Sequence, residues 1–335
     1  MSHKRTLGIL LVLLALLVSA CGGGGAGDDD EMFRVAVIMP STVNDLAFSQ
    51  SMYDALLKIQ ADMGGPEKME LVYSENMFVV DDAAAAIRDY ASQGYDLIIA
   101  HGSQYGSSLK EIAPDFPTTA FAHGTTVDTF VDEGVNNVFA YEAASDEGGY
   151  VNGVMAGKLT KSNIIGVVGP LETGDAKLYI VGVVAGVKAS NPDAQVHVNY
   201  IGSFSDVALA SEAASTHITA GADVWTGSAQ MVVGAIGKAK ENGVLWFGTQ
   251  ASQTSLAPDI VVANEIYEWT VVLNDIIDQM DAGTYGGKAY VINLENGGEV
   301  IEYNPNFDLP ADVKQLAEDT IQGIKDGSIV IPIGD

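Results

Sequence analysis

The 335-residue chain holds one cysteine, five histidines and only 16 lysines and arginines, against 44 aspartates and glutamates. A single cysteine excludes an internal disulfide framework, a CxxC metal site and a cysteine pair for redox work. Few histidines and one cysteine leave no recognisable metal-ligand spacing, and no cofactor is indicated. The formal net charge of −28 repels nucleic acid and anionic lipid headgroups, so neither is expected as a partner. No stretch reaches the roughly 20 apolar residues that a membrane-spanning helix needs. Signatures of catalysis are missing too. The segment GVMAGKL, 153–159, has three residues between its glycines where a P-loop has four, and Leu159 stands where Ser or Thr would hold Mg²⁺. No GxGxxG follows the first strand, and no Ser–His–acid or HExxH pattern occurs, so the chain is not expected to be an enzyme.

What is present begins at the amino end. His3, Lys4 and Arg5 precede an apolar run, 7–18, of about the length of a signal-peptide core. Val18-Ser19-Ala20-Cys21 resembles the lipobox of bacterial lipoproteins. That resemblance implies a cleaved signal peptide, 1–20, and a lipidated Cys21 that holds the mature chain on the extracytoplasmic face of the cell membrane (the periplasmic side in a Gram-negative cell). Residues 21–32, with GGGGAGDDDE after the cysteine, cannot build a core and read as a flexible tether. Contact with the membrane is expected through the lipid anchor only.

The body alternates short apolar runs with helical patterns. Strands are predicted at 34–39, 70–73, 97–100, 119–122, 137–141, 164–168, 195–200, 224–226, 244–247 and 260–263. Helices are predicted at 47–63, 81–93, 105–113, 146–159, 176–190, 207–220 and 230–241. Runs such as VAVIM and IIGVVG are apolar without alternation, as in strands covered on both faces. The α/β order implies parallel sheets with crossover helices, and ten strands are too many for one compact sheet. Two doubly wound lobes with a cleft between them follow. Such sheets bind ligands beyond the carboxyl ends of their strands. The stretches there are 40–56, HGSQYG (101–106), GPLETGDAKLY (169–179), GSFSD (202–206), WTGSAQ (225–230) and GTQASQ (248–253). They mix small, polar and aromatic residues, which suits stacking a flat ligand and bonding its edge. Asn44 and Asp45 read equally as helix caps or ligand contacts. Phe48 and Trp225 read as core or as stacking rings, and His101 and His123 as structural.

VNDLAFSQSMYDAL resembles the opening motif of the basic membrane protein family of substrate-binding lipoproteins, with Ser49 in place of an Asn. YEAASDEGGYVNGVMAGKLTKSNIIGVVG carries a similar E-G-x-Y-x-x-G pattern. VGVVAGVKASNPDAQV, GSFSD and ITAGADVW match further segments in order. The resemblance implies a type I periplasmic-binding-protein fold, with two lobes joined by a three-strand hinge. It divides the chain into lobe 1 at 33–143, with a return segment near 254–290, and lobe 2 at 144–253, with a carboxyl-terminal segment near 291–335. It implies a purine nucleoside or nucleobase as ligand, delivered to ABC permease subunits. The ligand set implied is Asn44, Asp45, Phe48, Gln50, Gln104, Phe204, Trp225, Gln250 and Trp269, with the base stacked between Phe48 and Trp225 or its neighbour. Gln250 stands where nucleoside-binding members place an Asp that grips ribose. Glu268 and Trp269 fall near a lysine of those members, and SAQMVVG (228–234) replaces a Gly-Gly-Thr-Gly loop. A bare nucleobase or another flat polar solute therefore stays open beside a nucleoside. A ligand-sensing lipoprotein that feeds a signalling partner stays open beside a transport receptor.

Overall fold

A computed structural model describes residues 32–333; Cys21, the signal peptide and nearly all of the tether lie outside them. Twelve strands and nine α-helices occur among the described residues. β1 (Phe33–Ile38), β2 (Met69–Ser74), β3 (Leu97–Ala100), β4 (Ala120–Gly124) and β5 (Val138–Ala143) share one sheet with β11 (Ala289–Ile292). Its order is β11-β5-β4-β3-β1-β2, parallel throughout. The second sheet has the order β12-β10-β9-β8-β6-β7. It is built from β6 (Ile164–Gly169), β7 (Gln195–Tyr200), β8 (Val224–Gly227), β9 (Leu245–Gln250), β10 (Val261–Tyr267) and β12 (Glu299–Tyr303). Only the β10–β12 pair in it is antiparallel.

The unalternating runs have the cause expected of them. Val35, Val37 and Met39 pack into one core cluster with helix α1 (Phe48–Asp62), while Ala36 and Ile38 point to another beneath helix α2 (Val80–Ser92). Because successive strand side chains face opposite ways, a strand covered by helices on both faces is apolar at every position. In the second sheet Ile165 and Val167 face one cluster and Val168 the other.

Helices α4 (Ser145–Leu159) and α5 (Gly174–Ser190) pack with their backbones in contact. A Cβ on Gly149 or Gly153 of α4 would land on the carbonyl oxygen of Tyr179 or Val183. On Gly182 or Gly186 of α5 it would meet the carbonyl oxygen of Asp146 or Tyr150. Each glycine costs a helix about 1 kcal/mol relative to alanine, and the close approach explains why none is larger. The glycines of GVMAGKL thus serve helix packing.

The chain passes between the sheets three times, at 143–145, 267–270 and 292–299. Of the segment near 254–290 expected to return to lobe 1, β10 pairs instead with β9 in the second sheet. Helix α8 (Thr270–Asp281) and β11 are the parts that join the first. Helix α9 (Ala311–Lys325) completes the second lobe. The elements α8, β11, β12 and α9 have no counterpart in the sequence-derived list.

Candidate functional site

A cavity of about 390 Å³ lies where the carboxyl ends of the two sheets meet, a size within the range of small-ligand pockets. Lobe 1 contributes Phe48, Phe78 and Gln104; lobe 2 contributes Asp175, Phe204 and Gln250. All follow the ends of strands, where open α/β sheets place their ligands. Thr125, Ala229 and Gln250, three of the lining residues, have φ of 44°, 74° and 72°. Non-glycine residues held in that region cost about 1–3 kcal/mol each and cluster at functional sites.

The wall in lobe 1 is built around Phe48, the first residue of α1. The Asp45 carboxylate accepts hydrogen bonds from the backbone N–H groups of Ala47, Ser49 and Gln50 at 2.9, 3.2 and 3.1 Å. It thereby satisfies donors that a helix start leaves free. Gln50 Oε1 accepts from the Leu46 N–H at 3.0 Å and its Nε2 donates to Asp54 at 3.3 Å. Asp45 and Gln50 therefore shape the loop that presents Phe48 and do not line the cavity; Asn44 is exposed and does not line it either. Phe48 is backed by His101, with ring centroids 3.7 Å apart and planes within 8°. His101 Nε2 lies 3.1 Å from the Phe48 carbonyl oxygen and Nδ1 lies 2.8 Å from the Tyr141 hydroxyl. A carbonyl only accepts, so Nε2 carries the proton and Nδ1 accepts from the tyrosine. Burial pushes the imidazole down to about 3 and keeps it neutral.

The wall in lobe 2 is polar and incomplete. Asp175 sits in the first turn of α5, whose start is tied to α4 by Ser145 Oγ donating to the Asp175 carbonyl at 2.7 Å. Burial pushes its carboxyl up to about 8, helped by the charge of Glu142; the N–H of Ala143, at the end of β5, pulls the other way. Its Oδ2 has no hydrogen-bond partner, and neither has Oε1 of Gln250 at the end of β9. Among the described residues lining the cavity, Asp175 is the one ionisable side chain. Behind it lie three further buried carboxyls. Glu265 accepts from the Thr249 hydroxyl, Glu299 accepts from the Gly148 N–H at 3.3 Å, and Asp146 is pushed up to about 6 by burial. Desolvation raises Glu265 and Glu299 as well.

Two further residues of the expected ligand set, besides Asn44, Asp45 and Gln50, stand away from the cavity. Trp225 is mid-strand in β8, fully buried, with its ring beside His217 and its Nε1 donating to the Ala222 carbonyl at 3.2 Å. A residue inside a strand covered by helices faces a helix layer, not the space beyond the strand end. Trp269, at the start of α8, is buried in the lobe 1 core among Tyr141, Tyr267 and His101, and its Nε1 donates to Ser51 Oγ at 3.0 Å. Phe204 is the ring that lobe 2 brings to the cavity, and Gln104 and Gln250 also line it. Asp175 is absent from the expected set, although its loop is in it. No sequence signal singles it out, because an acidic residue in the first turn of a helix is an ordinary surface feature.

Residues 32–332 match the family model described as "ABC transporter substrate-binding protein PnrA-like". A purine-binding protein of Brucella abortus is 29% identical over 78% of this chain and 73% of its own. The nucleoside-binding protein BmpA of a Lactococcus lactis ABC transporter is 27% identical over 87% of this chain and 86% of its own. The solved structure of an ABC-transporter solute-binding protein from Conexibacter woesei has a TM-score of 0.75 at 24% identity, covering 90% of this chain and 98% of that one.

Proposed function

Because the chain belongs to the PnrA-like family of ABC-transporter substrate-binding proteins, we propose that it captures a purine nucleobase or nucleoside between its lobes and delivers it to a membrane permease. The observation that carries the ligand reading is the cavity itself: apolar rings from both lobes, Phe48 and Phe204, beside polar groups that want partners. A flat heterocycle offers a face to the rings and donor hydrogens to the polar groups. The purine-binding and nucleoside-binding names of two relatives support the same ligand class. Ligand held by both lobes favours the closed arrangement by as much as its affinity for the closed state exceeds that for the open one. The closed form is then the signal that the permease reads. Cys21 carries the lipid that keeps the receptor beside that permease, on the extracytoplasmic face. Binding needs no catalytic group on this chain.

Titration calorimetry against adenine, hypoxanthine, uracil and their nucleosides tests the reading. Saturable heat with a purine or its nucleoside is expected, and no heat with any of them ends it. Replacing Cys21 by serine is expected to leave binding intact and to move the protein from the membrane to the soluble fraction; a variant still in the membrane fraction contradicts the anchor.

A further inference from the structure

Asp175 and Gln250 both line the cavity, are 6% and 4% exposed, and each carries one buried side-chain oxygen without a partner. A buried acceptor left unpaired costs about 1–3 kcal/mol. Proteins retain such a cost where a ligand relieves it. Gln250 also holds a φ of 72°, a strained geometry for a residue with a side chain. The chemistry of the missing partner follows from the lining. Gln250 Oε1 is an acceptor, and the Asp175 carboxyl, protonated in the ligand-free chain, keeps an acceptor oxygen beside its own hydroxyl, so the partner brings N–H or O–H hydrogens. No lysine or arginine is among the described residues that line the cavity, so a phosphate there would be desolvated without a counter-charge, beside a carboxyl. The raised pKa of Asp175 agrees, because it reports a desolvated acid with no cation at hand.

We propose that Asp175 is the specificity-determining residue of the cleft: with Gln250 it accepts donor hydrogens from an unphosphorylated ligand, and the lining turns phosphorylated forms away. The inference rests on the ligand reading above. Two hydrogen sources share this chemistry, the N–H edge of the base and the hydroxyls of a ribose. Gln250 is reached from the resemblance as a residue facing ribose, whereas Asp175 is reached from its burial and its missing partner alone.

The test compares the full chain with Asp175→Asn and Gln250→Ala in calorimetric titrations against adenine, adenosine and AMP, with thermal unfolding of each variant as the folding control. Asp175→Asn replaces the carboxyl by an amide that cannot ionise and fixes an NH₂ donor at one of the two oxygen positions; it removes no volume, so it is expected to fold at least as well as the parent. The wild-type protein is expected to bind AMP at least about 100-fold more weakly than adenosine. Asp175→Asn is expected to lose about tenfold or more in affinity, which corresponds to about 1.4 kcal/mol. A loss with both adenine and adenosine assigns the contact to the base edge; a loss with adenosine alone assigns it to the ribose. Affinities unchanged for both ligands in a folded Asp175→Asn protein overturn the inference while the ligand reading stands. AMP bound as tightly as adenosine overturns it as well. Wild-type protein that binds none of the three ends the ligand reading and this inference together.

Discussion

The two walls of the cleft differ in how completely they are finished. In lobe 1, Phe48 rests on a neutral His101 whose two nitrogens are both bonded, and Asp45 spends its oxygens on the turn before the ring. In lobe 2, Asp175 and Gln250 present unpaired oxygens; left-handed backbone occurs on both walls, at Thr125 in lobe 1 and at Ala229 and Gln250 in lobe 2. A satisfied wall is rigid and indifferent to ligand identity, since any flat ring meets the same face. An unsatisfied wall gains only when the right hydrogens arrive, and that makes it the discriminating side. Under the proposed function, the contrast gives the fold a common stacking platform on one side and an opposite wall that sets the choice of solute.

The sharpest way to break this contrast is to damage each wall and compare stabilities. His101→Ala deletes a fully buried ring and strands the Tyr141 hydroxyl and the Phe48 carbonyl. It is expected to cost about 3–5 kcal/mol in chemical denaturation, whereas Asp175→Asn is expected to cost nothing or to stabilise. Equal losses in the two variants would mean that the lobe 2 wall is as finished as the other.

A smaller effect, on the order of 1–2 kcal/mol, concerns pH. Burial lifts Asp146 to about 6 and Asp175 to about 8. Both hold protons in the folded chain that the unfolded chain releases near pH 4. These two carboxyls make stability fall as pH rises from about 4 to about 8, while His101, His123 and His217, which burial keeps neutral in the folded chain, oppose that fall until the unfolded histidines lose their protons at about pH 6.5. Ligand-free protein is expected to unfold at a higher temperature at about pH 7 than at about pH 8, above the range where the histidines oppose the carboxyls. Asp175→Asn should flatten the upper part of that slope. An unfolding temperature that rises with pH, or a slope the variant leaves unchanged, contradicts the assignment.

The smallest effect tests the correction at Trp225. Trp225→Phe is expected to cost about 1–2 kcal/mol of stability and to leave ligand affinity within about twofold, because the ring fills core rather than cleft. A large loss of affinity at unchanged stability would return Trp225 to the site.

Much of this was legible in the sequence, for identifiable reasons. β3, β6 and residues 35–38 of β1 announce themselves because burial on both faces leaves no polar position there. β11 and β12 are edge strands with alternating exposure, short and partly polar, and their runs do not stand out from loop. Phe48 was legible because it follows a strand end and opens a helix. Trp225 and Trp269 misled because residue type cannot say whether a ring points past a strand end or into a helix layer. Asp175 was hidden for the opposite reason. An acidic residue at a helix start is an ordinary surface feature, and only the closeness of α4 to α5, set by glycines on both, buries this one.

The central claim is that lobe 1 positions and lobe 2 selects. Its most direct test measures affinities of wild type, Phe48→Ala and Asp175→Asn for adenine, hypoxanthine, uracil and their nucleosides by one calorimetric protocol. Loss of the stacking ring is expected to weaken every ligand that binds by a similar amount, about 1–3 kcal/mol, and to keep their order; loss of the carboxyl is expected to change the order. Phe48→Ala reordering the ligands while Asp175→Asn lowers all of them uniformly would contradict the account.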